Sequence, residues 1–176
     1  MNTDKKSAQI VGVLFLLATA TYMTGSMLID SIMTAPDYLM NVYPNRIQII
    51  SGALLQFVDA VAVVGIGVVL FPLLRKQNET IAVGYVATRI LEFVLLVIGG
   101  VGSLLLITLS GEVLEAGTAN AAQFQAMGAL LQAQSFLGYQ IAMLTLGLGS
   151  VFFCYLLYTS RLIPRGLSLL GIIGYS

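Results

Sequence analysis

The sequence predicts an all-α polytopic transmembrane helix bundle: four full spans, a truncated fifth and a cytoplasmic N-terminus. Three observations predict it. The 176 residues are 58% hydrophobic and only 9% charged, where an ordinary soluble domain is about a quarter charged. Mean hydropathy is +0.94. The apolar runs reach or exceed the roughly 20 residues a helix needs to cross a bilayer. They are continuous rather than alternating, and far longer than the roughly ten residues of a barrel strand. The chain reads as one integral membrane domain over 1–176.

The first span is placed at 8–28, the second at 47–74, the third at 81–109 and the fourth at 135–158. The apolar character of the fourth begins earlier. From Ala126 to Tyr158 a continuous helix would be nearly 50 Å long at about 1.5 Å per residue, against a core of about 30 Å. Either its first turns project beyond the hydrocarbon or the helix breaks. The partial span, 166–176, has about half the length a crossing requires. It reads as the start of a fifth helix in a truncated chain, an interfacial piece or a re-entrant fragment.

Orientation follows from the basic residues, which favour short cytoplasmic loops. Lys5, Lys6, Arg75, Lys76, Arg161 and Arg165 fall on one side. The other side carries Asp30, Asp37, Glu112 and Glu115 against a single Arg46. Two features compete with this reading. Lys5 and Lys6, an apolar run and Ala18-Thr19-Ala20 resemble a cleavable secretory signal, but apolar residues resume at once through Tyr22, Met23, Met27 and Leu28. Asn78-Glu79-Thr80 is a formal glycosylation sequon on the side read as cytoplasmic, and is taken as accidental.

In the outer loop, Pro36 suits the first turn of a short helix, and Tyr38 and Tyr43 suit the headgroup region. Pro72 is tolerated because the second span is about to end. Gly65-Ile66-Gly67 with Phe71 and Leu74 is echoed by Gly147-Leu148-Gly149 with Phe153 and Leu156. The echo fits a duplicated hairpin or ordinary small-residue packing. Gly84 with Thr88, Gly99 with Ser103 and Gly138 with Ala142 form small-xxx-small pairs, read first as packing within one chain.

Several segments together resemble a known family. They are Val11-Gly12-Val13-Leu14-Phe15-Leu16, Ala35-Pro36-Asp37-Tyr38-Leu39, Val64-Gly65-Ile66-Gly67 through Leu74, and Gly84-Tyr85-Val86 with Arg89 and Glu92. Tyr155-Leu156-Leu157-Tyr158 and Ser160-Arg161-Leu162-Ile163-Pro164-Arg165 complete the set. Across nearly the whole chain they are similar to the bacterial family called domain of unknown function 4386. The resemblance implies a multi-pass protein of the bacterial cytoplasmic membrane, with about six helices, and supplies no reaction. The chain departs from the pattern at Gly166, where an aromatic residue is expected, and by stopping inside the fifth helix.

Three charges fall inside spans, where each costs at least ~2.5–3.5 kcal/mol at the bilayer centre. Asp59 is near the middle of span two. Arg89 and Glu92 are three apart on span three, so they share a face and can pair. A hairpin turning near Gln77 and Asn78 places Asp59 opposite about Leu96. Gln56, one turn from Asp59, and Gln140 in span four are candidate amide partners of this polar cluster. In one reading Arg89 neutralises one or both carboxylates and pins spans two and three in register. In another, Asp59, farther from Arg89, binds a proton or small cation in a cavity. A third makes the cluster a pocket for a ligand or lipid headgroup.

Catalysis has little to work with. The chain has no His, no Trp and one Cys, which removes imidazole chemistry, common zinc sites and an intramolecular disulfide. A serine hydrolase lacks its base, and in an aspartyl pair Arg89 would keep both acids ionised. Gly147-Leu148-Gly149-Ser150 lies in an apolar helix, where no phosphate loop forms. Cys154 reads as a small buried apolar residue, and Tyr155, Tyr158 and Arg161 as an interface anchor. No residue pattern calls for a cofactor or metal. The expected surroundings are the lipid bilayer and other membrane subunits or a second copy of the chain, without nucleic acid. The first expectation is a non-enzymatic structural, accessory or small-ligand-binding bundle. The second is a small or proton-coupled transporter.

Overall fold

A computed structural model describes residues 2–116, 120–160 and 165–175. The described residues form six helices: α1 (Asn2–Met33), α2 (Tyr38–Val42), α3 (Arg46–Arg75), α4 (Glu79–Ala116), α5 (Ala121–Ser160) and α6 (Arg165–Tyr175). Helices α1, α3, α4 and α5 are each long and apolar enough to span a membrane. Helices α1 and α3, α3 and α4, and α4 and α5 pack against each other in sequence. Helix α6 lies against α5, and α2 rests on α4.

Helix α3 covers the residues expected for span two and one more at each end. Helices α1, α4 and α5 extend beyond their apolar segments, because helical hydrogen bonding continues into the polar residues that flank them. Of the two alternatives for the fourth span, a broken helix is excluded. Helix α5 is an unbroken 40-residue helix, about 60 Å long at ~1.5 Å per residue. Its first turn is capped by the backbone carbonyl of Asn120, which accepts from the Gln123 and Phe124 amides. Asn120 has a positive φ of 62°, a conformation Asn tolerates better than most residues.

The short helix of the α1–α3 connection starts later than the sequence implies. Pro36 lies in the turn before α2 rather than in its first turn, and Asp37 occupies the N-cap position. Helix α2 is hydrogen-bonded to α4 through one side chain. Ser110 of α4 donates to the Leu39 carbonyl and accepts from the Tyr43 amide. The sequon residue Asn78 also has a structural role, since its side-chain oxygen accepts from the Ile81 amide at 3.1 Å and caps the start of α4. Residues 161–164, including the Arg161 of the proposed interface anchor, lie outside the described residues.

Two apolar clusters form the core, one toward each end of the bundle. At the end bearing Lys5, Lys6, Arg75 and Lys76, Ile66, Leu70, Leu74 and Tyr85 pack with Val11 and Leu156. At the α2 end, Ile32, Val42, Ile49 and Leu106 are among the buried core. Lipid is as apolar as leucine, so close packing rather than exclusion of water must hold these helices together.

Glycines make that approach possible. A Cβ on Gly25 would sit 2.7 Å from the Gly52 carbonyl oxygen, and one on Gly138 would sit 3.0 Å from the Gly99 Cα. The first contact joins α1 to α3 and the second joins α4 to α5. Two of the three small-residue pairs therefore pack within the chain, with Ala142 wholly buried. In the third pair only Thr88 packs within the chain, against Gly149 of α5, while a Cβ on Gly84 meets open space.

Candidate functional site

The structure divides the expected polar cluster in two. Arg89 and Glu92, one turn apart on α4, form a buried ion pair: Arg89 Nη1 donates to Glu92 Oε2 at 2.8 Å. Arg89 Nη2 donates to Ser150 Oγ of α5 at 3.3 Å. The guanidinium also lies 5.0 Å from the centre of the Tyr85 ring. Of its polar atoms, Nε is buried without a hydrogen-bond partner among the described residues. Arg89 and Glu92 are only 3% and 2% exposed. In a medium with no water, the paired state is what makes such charges tolerable.

The site is built by absent side chains on both neighbours. A Cβ on Gly67 of α3 would lie 3.2 Å from Arg89 Cβ and Cγ, and one on Gly149 of α5 would strike Thr88 Oγ1. The two echoed glycine segments of the sequence thus flank α4 at consecutive residues. Ser150, unremarked in the sequence beyond its place after Gly149, supplies the hydrogen bond.

Asp59 is not part of this pair. Of the reading that Arg89 neutralises one or both carboxylates, the structure shows one, Glu92; the pinning of spans two and three is corrected, since the guanidinium reaches across to Ser150 and joins α4 to α5. Asp59 is 6% exposed, and it has no hydrogen-bond or ion-pair partner among the described residues. It lines a cavity of about 420 Å³, shared by α1, α3, α4 and α5. Leu96, the residue expected opposite Asp59, lines the same cavity.

Polar groups come to the cavity as stripes. Helix α1 contributes Tyr22, Ser26 and Asp30 at four-residue spacing; α3 contributes Gln56 and Asp59; α5 contributes Gln132, Ser135 and Tyr139. Residues three and four apart share a helix face. Gln56 Nε2 donates to Ser26 Oγ at 3.1 Å, fixing α3 to α1 across the cavity wall. Ser135 Oγ is buried without a hydrogen-bond partner among the described residues. The lining holds two carboxylates, Asp59 and Asp30, and no Lys or Arg. Asp30, which the sequence reading places in a loop, belongs to α1. Gln140 is a second correction: it is exposed on α5 and does not line the cavity. The adjacent Tyr139 points inward instead, because one residue along a helix is a turn of about 100°.

Helices α1 and α5, packed on α3 and α4 respectively, border the remaining side of the cavity. These helices meet at a Tyr22–Tyr139 ring stack with centroids 5.3 Å apart. They meet again where Gln132 Nε2 approaches the Met33 carbonyl at 3.5 Å. Phe136, between these contacts on α5, lines the cavity and is 62% exposed. Behind the opposite wall, Gln56, Leu96 and Gly100 also border an apolar groove of about 240 Å³ between α3 and α4.

Fold and site together define a polytopic helical membrane protein with a buried ion pair and, apart from it, a cavity ending at an unpaired carboxylate. The chain belongs to the family described as Domain of unknown function (DUF4386), whose model matches residues 10–176. No curated protein and no solved structure matches it.

Proposed function

We propose that the chain is a non-enzymatic, small-ligand-binding bundle of the bacterial cytoplasmic membrane, with its N-terminus inside and the Asp59 cavity as its binding site. One observation carries the reading: a carboxylate more than nine-tenths buried, unpaired by any described residue, faces a cavity wide enough for a small molecule. A purely structural acid in a bilayer is better served by a partner, as Glu92 is by Arg89. The Arg89–Glu92–Ser150 set is the structural half of the cluster. It fixes α4 against α5 beside the site.

Access of water to the cavity tests this. In a Cys154→Ser background, Gln56→Cys is exposed to a membrane-impermeant thiol reagent from each side of sealed vesicles. Surface and lipid-facing cysteines serve as controls, and folding and insertion are verified first. Labelling from the side of α2 is expected. Failure to label from either side, with the controls behaving, overturns the binding reading and leaves a dry scaffold.

The depth of Asp59, near the midpoint of α3, favours a carrier as the second reading. A carrier must also open the end closed by Ile66, Leu70 and Leu74. In that reading Gln56→Cys labels from both sides, and Asp59→Asn abolishes flux in reconstituted vesicles.

A further inference from the structure

We propose that the Asp59 cavity binds a monovalent organic ammonium group, admitted sideways between α1 and α5. The inference rests on the binding reading above and assigns the ligand class. Charge comes first. Asp59 and Asp30 line the cavity without a Lys or Arg beside them, and the nearby Arg89 is committed to Glu92 and Ser150. An anion entering here meets only carboxylates and side-chain dipoles. A cation neutralises Asp59, which is 6% exposed and has no other partner among the described residues.

Size and donor set select the kind of cation. A volume of about 420 Å³ exceeds the roughly 30 Å³ share of one water more than tenfold, far beyond what a proton or bare metal ion fills. Divalent cations require six or more closely placed oxygens or a geometric cage, and the described residues contain no group of three or more acidic or Cys side chains able to hold a metal. The stacked Tyr22 and Tyr139 rings form part of the wall, and aromatic walls attract organic ammonium ions.

The route follows from what is closed. The end away from α2 is filled by Ile66, Leu70 and Leu74, and α3 and α4 pack against each other on the opposite side, where the groove they border is apolar. Between α1 and α5, Asp30 and the exposed Phe136 border the cavity. A headgroup entering there leaves any tail in lipid. The shared chemistry is the ammonium group, whether free in water or carried on an amphiphile.

The test uses the full chain in dodecyl maltoside. Salt-matched tetraethylammonium, dodecyltrimethylammonium and dodecyl sulfonate are each compared by thermal unfolding and by protection of Gln56→Cys from labelling. At about ten times the dissociation constant, an occupied site slows labelling about tenfold and raises Tm. Ammonium probes are expected to do both, the sulfonate neither, and Asp59→Asn to lose the effect. Action by tetraethylammonium identifies a water-borne cation; action by dodecyltrimethylammonium alone identifies a bilayer-borne one. An equal response to the sulfonate, or an undiminished response in Asp59→Asn, overturns the proposal. Should Asp59→Asn not fold, Ser103→Leu, which fills the cavity and keeps the carboxylate, must show the same loss, and persistence overturns the proposal. Labelling without protection by either ammonium probe defeats this inference alone. No labelling at all defeats the binding reading beneath it.

Discussion

Tyr22 and Tyr139 stack with an interplanar angle of 10° and centroids 5.3 Å apart, joining α1 to α5 at one border of the cavity. An aromatic pair contributes about 0.5–1.5 kcal/mol beyond its buried area. Tyr139→Ala is therefore expected to lower Tm by a few degrees and to speed labelling of Gln56→Cys, because that border is loosened. Tyr139→Phe keeps the ring and should behave like the parent in both. Equal loss in the two variants would mean that the hydroxyl, not the stack, joins the helices.

The buried ion pair gives a sharper prediction. Arg89→Met leaves Glu92 without its partner in a site that is 2% exposed, and breaking a buried pair on one side costs about 3–5 kcal/mol. Arg89→Met with Glu92→Leu removes both charges and is expected to recover most of that loss. A cycle of the two single variants and the double variant, followed by denaturant unfolding in mixed micelles, isolates the coupling. Additive losses would show that the pair does not act as a unit.

Much of this architecture is legible in the sequence, and the limits have physical causes. Length and hydropathy locate the spans, because the bilayer imposes one thickness on every helix. The i, i+3 spacing of Arg89 and Glu92 announces their pairing. The position of Asp59 does not reveal that Arg89 turns away from it, since that choice depends on Ser150, a residue 61 positions away in sequence. Gln140 has the right chemistry for the cluster, but helix rotation decides the matter against it. The polar stripe Tyr22, Ser26, Asp30 is readable at four-residue spacing. It is obscured because Asp30 reads as a loop residue and Tyr22 as part of an apolar run. The end of α1 beyond residue 28 carries no hydropathy signal, so only its hydrogen bonding shows that it continues.

Asn78 offers a prediction at the membrane surface. Its side chain caps α4 through the Ile81 amide, and loss of an Asn cap costs about 1 kcal/mol. Asn78→Ala should lower Tm slightly, whereas Asn78→Ser or Asn78→Asp should retain most of the stability. Equal stability across all three substitutions would show that water replaces the cap at no cost.

The glycines allow two substitutions of the same kind to be set against each other. Gly25→Ala places a methyl group 2.7 Å from the Gly52 carbonyl oxygen, a backbone atom that moves only if α1 and α3 separate. Overpacking of this kind costs about 1–3 kcal/mol, and separation would also disturb the Gln56–Ser26 hydrogen bond beside the cavity. Gly84→Ala adds the same methyl group to α4 where a Cβ meets open space, and the gain in helix propensity is up to about 1 kcal/mol. Thermal unfolding of the two variants in one detergent should therefore show opposite signs, Gly25→Ala below the parent and Gly84→Ala at or above it. Gly25→Ala should in addition change the labelling rate of Gln56→Cys, which Gly84→Ala leaves alone. A Gly25→Ala variant as stable as the parent would mean that α1 is held loosely, and the fixed cavity wall it forms with α3 would have to be abandoned.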